Sequence, residues 1–432
     1  MITYFCPTTW FKFTTIFLNM PLIDTIRQHV EADYEHIFTL FCHYNENPEI
    51  GMDTFNTSQR QAAELRAAGC NVVQMVRETG VVAVMKNGEG PTYLFRADCD
   101  ALPQPDLRGE AWASKIPNVG HQCGHSLHSA NLIGVARAMA KLKSEWAGTM
   151  VFVTQPGEEF DNGADKLIKA GLFDHFPIPK AALAYHVSPT LPAGTIGVVR
   201  GPAMALIEMP KIIVKGISGH GGYPHTTKDA VVLASSIVMR LQTIVSRTMS
   251  PFEPTVVSVC SIHGGSSHNI LPDQVELKLT VRCFSVAVYQ KIMAEIKQIC
   301  EGEAIASGLP KELFPEVIER GFFTKPVIND VALMDELQSS FEQSLGKDRV
   351  RQEPCYTFGE DFSSYGLDGK IPLGFVWLGS VNPNKFDENL QPKPTETYPP
   401  LHSSVFNPHP PGTIRTGVTA MTAALIQLFK NG

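Results

Sequence analysis

Side chains able to bind a transition metal are concentrated in one short segment, His121-Gln-Cys123-Gly-His125-Ser-Leu-His128. Glycine permits a tight backbone path that turns the donors on either side of it toward one cation. Thiolate and imidazole together suit zinc and its neighbours in the transition series. Cys123 could equally be a small buried apolar residue, with the histidines capping a helix that follows. The segment alone leaves both interpretations open.

Two adjacent carboxylates, Glu158 and Glu159, follow the apolar run 149–154. The run predicts a buried strand, and open α/β folds bind ligands at the carboxyl ends of their strands. If one glutamate holds a metal ion and the other takes a proton from water, the cation stabilises both charges. An exposed acidic turn is the alternative interpretation.

Three further polar residues stand at ends of predicted strands or in loops. Asp98 follows the run 92–96, His186 ends the run 181–186, and His402 lies in a loop near the C-terminus. Asp98 could orient a metal ligand from behind. A lone histidine is more often a hydrogen-bonded structural residue than a ligand. These residues therefore indicate a site only as a set with the cysteine and the glutamates.

The spacing of apolar residues predicts the elements that position this set. We predict helices over 23–40, 57–68 and 129–143, and strands over 72–76, 81–85, 92–96, 149–154 and 181–186. Helices that alternate with buried strands are typical of a layered α/β fold with a mostly parallel sheet.

The pattern changes after Gly201. Strands are predicted over 207–214, 255–262 and 274–284, with helices over 228–247 and 288–305, which together make a compact α+β unit. Helices over 332–346 and 413–429 and a strand over 374–378 then return to the α/β pattern. We predict an N-terminal extension at 1–19, a catalytic α/β domain at 20–201 and 316–432, and a smaller inserted α+β domain at 202–315.

Composition excludes several classes of protein. The 432 residues are 44% hydrophobic and 18% charged, as in ordinary globular proteins. A formal charge of -7 provides no basic surface for nucleic acid or an anionic membrane, so neither partner is expected. The nine cysteines are scattered without a C-x-x-C pair, which favours a reducing compartment, and we expect a cytoplasmic location.

Taken in order, the motifs resemble those of the metal-dependent amidohydrolases of the aminoacylase and carboxypeptidase clan. The similar branch contains hippurate hydrolases, N-acyl-amino-acid hydrolases and auxin-conjugate hydrolases, and the resemblance runs from about Asn47 to Phe429. The segments are TGVVAV at Thr79, RADCDALP at Arg96, GHQCGH at Gly120, QPGEEFDNGADKLIKAG at Gln155, YHVSPTLPAGTIG at Tyr185, GISGHGGYPH at Gly216, NILPD at Asn269, GEDFSSY at Gly359 and LHSSVFN at Leu401. An ordered series is far more specific than one motif.

The resemblance implies a site for two divalent ions, with zinc or manganese favoured and cobalt or nickel also compatible. Its implied ligands are a bridging Cys123 together with His125, Glu159, His186 and His402. Glu158 is then the general base, which takes a proton from the attacking water and delivers it to the departing amine. Asp98 completes the catalytic group.

By the same resemblance, the inserted domain is a lid through which two chains form a homodimer. His220 would approach the partner subunit's site and stabilise the oxyanion. Asn269 and Arg282 are implied substrate contacts, and the guanidinium of Arg282 suits a carboxylate. A structural ion pair is the alternative for Arg282.

One residue departs from the branch in a way that matters. The branch continues Cys-Gly-His-Asp, whereas this chain has Ser126 after His125. Loss of that carboxylate is expected to loosen the surroundings of the metal, lower its affinity or alter the metal preference. Cys99 also replaces the usual methionine, and we interpret this change as one of packing.

The function implied by the resemblance is hydrolysis of the amide bond of N-acyl amino acids, which releases a carboxylic acid and a free amino acid. One alternative is a dipeptidase or carboxypeptidase-type exopeptidase, because similar metal chemistry serves both substrates. The other is a degenerate binding paralogue that lost turnover through Ser126. Glu158, which binding does not require, argues against the second alternative.

Overall fold

The computed structural model describes residues 20–75, 78–321 and 323–432, and the predicted extension at 1–19 lies outside the described residues. The helices are α1 (Met20–Glu46), α2 (Phe55–Ala67), α3 (His125–Lys141), α4 (Gly163–Lys169), α5 (Leu172–His175), α6 (Ala230–Thr243), α7 (Val286–Ala306), α8 (Val331–Leu345) and α9 (Pro410–Asn431). The strands are β1 (Asn71–Met75), β2 (Gly80–Asn87), β3 (Thr92–Asp98), β4 (Gly148–Gln155), β5 (Ala181–Pro192), β6 (Ile196–Val198), β7 (Gly201–Met204), β8 (Leu206–Glu208), β9 (Lys211–Lys215), β10 (Gly219–His220), β11 (Val256–Gly264), β12 (Ile270–Leu271), β13 (Gln274–Cys283), β14 (Glu316–Ile318), β15 (Val327–Asn329), β16 (Val350–Gln352) and β17 (Leu373–Val381).

The larger domain is built on an eight-stranded sheet with the order β1-β2-β4-β3-β5-β17-β6-β16. Strand β3 runs parallel to β4 and β5, β17 runs parallel to β5, and β16 runs parallel to β6. The remaining pairings are antiparallel. The prediction of an α/β domain with a mostly parallel sheet is therefore confirmed.

Helices cover both faces of this sheet. Alternate residues of β3 show the division, because Phe95 packs in the core beneath α1, α3 and α9 while Leu94 packs in the core beneath α4 and α5. A strand buried on both faces needs apolar residues at nearly every position. This explains why the strands of the sheet appear in the sequence as continuous apolar runs.

The inserted domain has its own sheet, with the order β11-β13-β9-β14, and β8 also pairs with β13. Helices α6 and α7 pack on one face of this sheet and form a separate core. A two-stranded ribbon of β7 and β15 joins the domains. Strand β14 extends the second sheet beyond residue 315, the predicted end of the inserted domain.

One stretch, Ala230–Thr248, is long and apolar enough to cross a membrane by length and composition alone. Its residues Ile237 and Leu241 pack in the core of the inserted domain, whereas Val232 and Met239 are exposed. The stretch is thus the core helix α6 with a second, uncovered apolar face, followed by a π-helical turn at Ile244–Thr248.

Most predicted elements differ from the structure by a few residues at their ends, and two of the differences matter for the site or the topology. Helix α3 begins at His125 and not at residue 129, so the metal-binding segment runs into its first turn. The N-cap is Gly124 with no side-chain capping bond, so the interpretation of the histidines as caps is wrong. The strand predicted at 207–214 is divided into β8 and β9, because Pro210 between them has no N–H to donate to the ladder.

Two isoleucines on α7 test the core of the inserted domain. Ile292 is 0% exposed and Ile305 is 61% exposed. Ile292→Ala should lower the free energy of unfolding by about 2–5 kcal/mol, because it removes buried methyl groups and leaves a cavity. Ile305→Ala should change it by less than about 0.5 kcal/mol. Denaturant unfolding measures both values, and equal costs would contradict the assigned packing.

Candidate metal centre

The candidate site lies at one edge of the large sheet, where neighbouring strands end. Asp98 is the last residue of β3 and pairs with Gln155, the last residue of β4. Glu158 and Glu159 follow after a short turn, and His186 lies on β5 beside them. Parallel strands bring their carboxyl ends to the same edge, so the fold gathers groups that are far apart in sequence.

His125 carries a nitrogen that is suited to a metal ion. Gly124 before it has φ 82°, and a Cβ there would collide with the Val187 side chain, so only glycine fits this turn. The Nδ1 of His125 donates to the Asp100 carbonyl at 2.9 Å. Its Nε2 is buried without a hydrogen-bond partner and lies 3.8 Å from Glu159 Oε1. A buried, unpartnered imidazole nitrogen beside a carboxylate fits a metal ligand.

The other predicted ligands converge on the same place. His186 donates from Nδ1 to the Val187 carbonyl at 2.8 Å, which directs Nε2 to within 3.3 Å of Cys123 Sγ. His402 Nε2 lies 3.3 Å from Glu159 Oε1. The potential ligand atoms of Cys123, Glu159 and His402 all lie within 4.8 Å of one another. The donor set of thiol, imidazole and carboxylate fits zinc and related divalent ions.

His402 is held in a strained backbone conformation. Its φ is 63°, in the left-handed region that non-glycine residues rarely occupy. Its N–H donates to the Gln122 carbonyl at 3.0 Å, and its carbonyl accepts from Gln104 Nε2 at 2.7 Å. These bonds fix the exposed imidazole over Glu159 and connect it to the segment that contains Cys123.

His128 has a different role, although its ring lies beside the rings of His125 and His186. Its Nδ1 donates to Asp98 Oδ1 at 2.5 Å, and its Nε2 accepts the Val187 N–H at 2.9 Å. Because both ring nitrogens are used, His128 is a positioning residue and not a ligand. Asp98 also accepts from Arg96 Nη1 at 2.7 Å and lies 3.8 Å from His125 Nε2.

Asp100 positions the glutamate pair, a role that the sequence analysis missed. Its carboxylate accepts the N–H of Glu158 at 3.1 Å and the N–H of Glu159 at 3.2 Å. The two glutamates are therefore not an exposed acidic turn, and that alternative is wrong. The available signal was the alternation of Asp98 and Asp100 at the end of a predicted strand.

A buried ionic cluster lies behind the glutamates. Arg96 is 1% exposed and donates to Asp98, to Glu360 at 2.9 Å and to Asp361 at 2.9 Å. The carboxylates of Glu158, Glu360 and Asp361 lie within 4.8 Å of one another. Glu360 and Asp361 belong to the GEDFSSY segment and were not predicted as site residues, although adjacent carboxylates were the same signal that identified Glu158 and Glu159.

The site carries more negative charge than its own cations balance. Burial, reinforced by Glu360 and Glu159, raises the pKa of Glu158 well above its usual range. Burial also raises the pKa of Glu360 to about 8 against the opposing effect of Arg96. Burial lowers the pKa of His125, but Asp98 and Asp100 outweigh this effect and raise it to about 10. Divalent cations would displace the bound protons and balance these carboxylates.

Two residues of the metal-binding segment stand outside the ligand groups that the described residues form. Ser126 is buried in the first turn of α3, and the predicted effect of this serine on metal affinity stays a prediction. His121 is also buried, and both of its ring nitrogens lack a partner. Burial lowers the pKa of His121 to about 3, so it is neutral in the folded chain.

The predicted residues of the inserted domain are His220, Asn269 and Arg282. None of them contacts a candidate metal ligand within the described residues. His220 is exposed on β10 next to Asn269, whose carbonyl accepts the Gly221 N–H at 2.9 Å. Arg282 forms no ion pair within the described residues, so the structural alternative for it is wrong. Its Nη1 donates instead to the Thr357 carbonyl at 2.5 Å, which brings it to the segment before Glu360.

Residues 94–403 match Peptidase family M20/M25/M40. The chain belongs to this family. N-acetylcysteine deacetylase of Bacillus subtilis (strain 168) is 34% identical over 343 residues, or 78% of this M20 chain and 86% of that protein. IAA-amino acid hydrolase ILR1-like 4 of Arabidopsis thaliana is 32% identical over 338 residues, or 78% of this chain and 76% of that protein.

One of the similar solved structures is a metal-binding protein of the same family. A dinuclear metal binding peptidase of the M20 family from Bacillus subtilis superposes with a TM-score of 0.77 at 27% identity, over 93% of this chain and 100% of that one. The predicted class, a metal-dependent hydrolase of amide bonds, is confirmed for this M20 chain. The identity of its metal stays a prediction.

Substitution of Asp100 tests the support of the metal centre. In Asp100→Asn, the new side-chain amide N–H would face one of the two backbone N–H groups that Asp100 now accepts. Because two donors repel each other, we expect Glu159 to be displaced and metal affinity to fall about 10- to 100-fold. Competition with a chromophoric chelator measures this affinity. Asp165→Asn, which removes a carboxylate from an exposed pair with Lys169, is the matched control. Unchanged affinity in Asp100→Asn would refute the role of Asp100.

Proposed function

We propose that this M20 chain hydrolyses the amide bond of N-acyl amino acids, releasing a carboxylic acid and a free amino acid. The observation that carries the proposal is that all five implied ligands converge beside Glu158, whose backbone N–H is fixed by Asp100. The relatives named as an N-acetylcysteine deacetylase and an amino acid conjugate hydrolase support this substrate class.

In this proposal, two divalent ions would be held by Cys123, His125, Glu159, His186 and His402. Zinc and manganese are favoured, and cobalt and nickel are also compatible with these donors. When bound, the ions supply Lewis acidity that polarises the substrate carbonyl and makes water a stronger nucleophile at neutral pH.

Glu158 performs the proton transfers. Its carboxylate accepts a proton from water as the new C–O bond forms at the substrate carbonyl, and it returns that proton to nitrogen as the C–N bond breaks. Glu158 suits both steps because Asp100 fixes its backbone while its side chain is left free of ion pairs within the described residues. The nearby Glu360 and Asp361 oppose its ionisation, which favours return of the proton.

The two alternative functions differ in what they require. A dipeptidase or carboxypeptidase-type exopeptidase would use the same ligands and base, so the pocket for the acyl half decides between that activity and the proposed one. A degenerate binding paralogue would not need Glu158 or its support by Asp100, and both are in place. We therefore keep the exopeptidase as the second candidate.

We also propose that two chains form a homodimer through the inserted domain. Strand β11 is an uncovered edge of the second sheet, and an edge of this length is a template for pairing with another chain. Val232 and Met239 on α6 and Ile262 on β11 are exposed apolar residues of the same domain. In such a dimer His220 contributes to the partner subunit's site.

For its location we propose the cytoplasm. The spacing of the nine cysteines supports a reducing compartment. The described cysteines are all free, which agrees with that environment.

A substrate panel tests the function directly. Chelator-stripped protein, resupplied with zinc, manganese or cobalt, is assayed on N-acetyl and N-benzoyl amino acids and on dipeptides with a free amino terminus. We expect metal-dependent release of the amino acid from N-acyl substrates and much slower cleavage of dipeptides. Faster cleavage of dipeptides would establish the exopeptidase instead.

Glu158→Gln should bind metal normally yet lose at least about 100-fold in kcat, because the general base is removed.

Complementation between two inactive variants tests the role of His220. His220→Ala and Glu158→Gln should each lose most turnover alone. Mixed dimers should regain activity, because one of their two sites combines Glu158 with His220 from the other subunit. The absence of recovery, or full activity in a proven monomer, would contradict action across the dimer. His175→Ala, an exposed histidine of α5, is the control and should keep full activity.

A further inference from the structure

An aromatic surface lies at the seam between the two domains and has no part in the site described above. It consists of Tyr356 and Phe358, whose rings are stacked with centroids 5.8 Å apart and planes 5° apart. Phe358 is 47% exposed, although it lies only two residues before the buried Glu360. A single exposed aromatic residue is ordinary by itself, but this one has a stacked partner and a charged neighbour.

The pair is rigidly held from below. The Tyr356 hydroxyl donates to Glu353 at 2.5 Å, and the Tyr356 N–H donates to the Ala203 carbonyl at 2.9 Å. The Phe358 carbonyl accepts the Ala205 N–H at 2.9 Å. The backbone of the pair is thus tied to β7 and the residue that follows it, which limits the freedom that the pair would lose on binding a ligand.

The same rings lead to the metal centre. Tyr356 contacts Trp377 edge to face with centroids 4.9 Å apart. Trp377 in turn contacts His186, an implied metal ligand, with centroids 5.7 Å apart. An unbroken row of rings therefore runs from the exposed Phe358 to the edge of the metal site.

The other neighbour of the aromatic surface is Arg282, the implied partner of a substrate carboxylate. Arg282 donates to the carbonyl of Thr357, the residue between the two stacked rings. Ile207 is the cross-strand neighbour of Arg282, and its side chain lies against Gly359, where a Cβ would collide with it. The segment 357–359 is therefore packed against the inserted domain, beside a guanidinium that forms no ion pair with a carboxylate in the described part of the chain.

We propose that the Tyr356–Phe358 surface binds the side chain of the substrate's amino acid, which is apolar and preferentially aromatic. Arg282 donates hydrogen bonds to the carboxylate of the same amino acid. This inference rests on the proposed function and names its substrate class, N-acyl amino acids with aromatic side chains. A flat ring stacks on a flat ring with a gain beyond the area that it buries. In an amino acid the carboxylate and the side chain are attached to the same α-carbon and therefore lie close together. A guanidinium next to an aromatic surface can bind both groups at once.

The test compares substrates that differ in only one half. For Phe358→Ala we expect kcat/KM for N-acetyl-L-phenylalanine to fall about 10-fold through KM, and that for N-acetyl-L-alanine to change less than about 2-fold. Phe358→Tyr keeps the ring and should restore the preference. Ile178→Ala, which removes an exposed apolar side chain just before β5, should leave both substrates unchanged.

Substrates that carry the aromatic ring on the acyl group test the opposite assignment of the surface. If Phe358→Ala impairs N-benzoyl-L-alanine and spares N-acetyl-L-phenylalanine, the surface serves the acyl group and the proposal is wrong. Equal effects on all substrates would overturn it as well. Calorimetric binding of L-phenylalanine and L-alanine to the metal-loaded protein gives a readout that needs no turnover. Weaker binding of L-phenylalanine alone in Phe358→Ala supports the aromatic surface, even if the panel above finds no hydrolysis of N-acyl amino acids and the proposed function itself fails.

Discussion

Burial of negative charge at one edge of the large sheet is the constraint on which the rest of the site depends. Arg96 is enclosed by Asp98, Glu360 and Asp361, so one guanidinium faces three carboxylates, and all four side chains are buried. A buried charge without a partner is costly, so this cluster ties the end of β3 to the segment before residue 361. Glu159 lies beside the imidazoles of His125 and His402, whereas Glu158 forms no ion pair within the described residues, and divalent ions are the natural partners for both carboxylates.

The support of the metal centre comes mostly from backbone groups. Asp100 holds the N–H groups of Glu158 and Glu159, and the carbonyl groups of Asp100 and Val187 orient the rings of His125 and His186. Such bonds fix which ring nitrogen faces the ions. The strands and the start of α3 therefore set the arrangement of the donors.

The two domains contribute different groups to the proposed substrate site. The large sheet carries the candidate metal donors and the proposed base, whereas Arg282 reaches the seam from the inserted sheet and donates to the carbonyl of residue 357. The aromatic pair at 356 and 358 is attached to the ribbon that joins the domains. The proposed chemistry and the proposed substrate selection therefore depend on different elements, which meet only when the chain is folded.

The sequence by itself determined the fold class, the inserted domain, the family and the candidate donors, because strand runs, turn glycines and ordered motifs are local signals. The pairing of Asp100 with two backbone N–H groups, the enclosure of Arg96 and the location of Phe358 beside Arg282 were decided only by tertiary structure. These contacts join residues that are distant in the chain, for example Arg96 and Glu360, and no local spacing encodes which of many similar side chains will meet. The helix start at His125 was also misplaced, since it depends on how Gly124 packs against Val187.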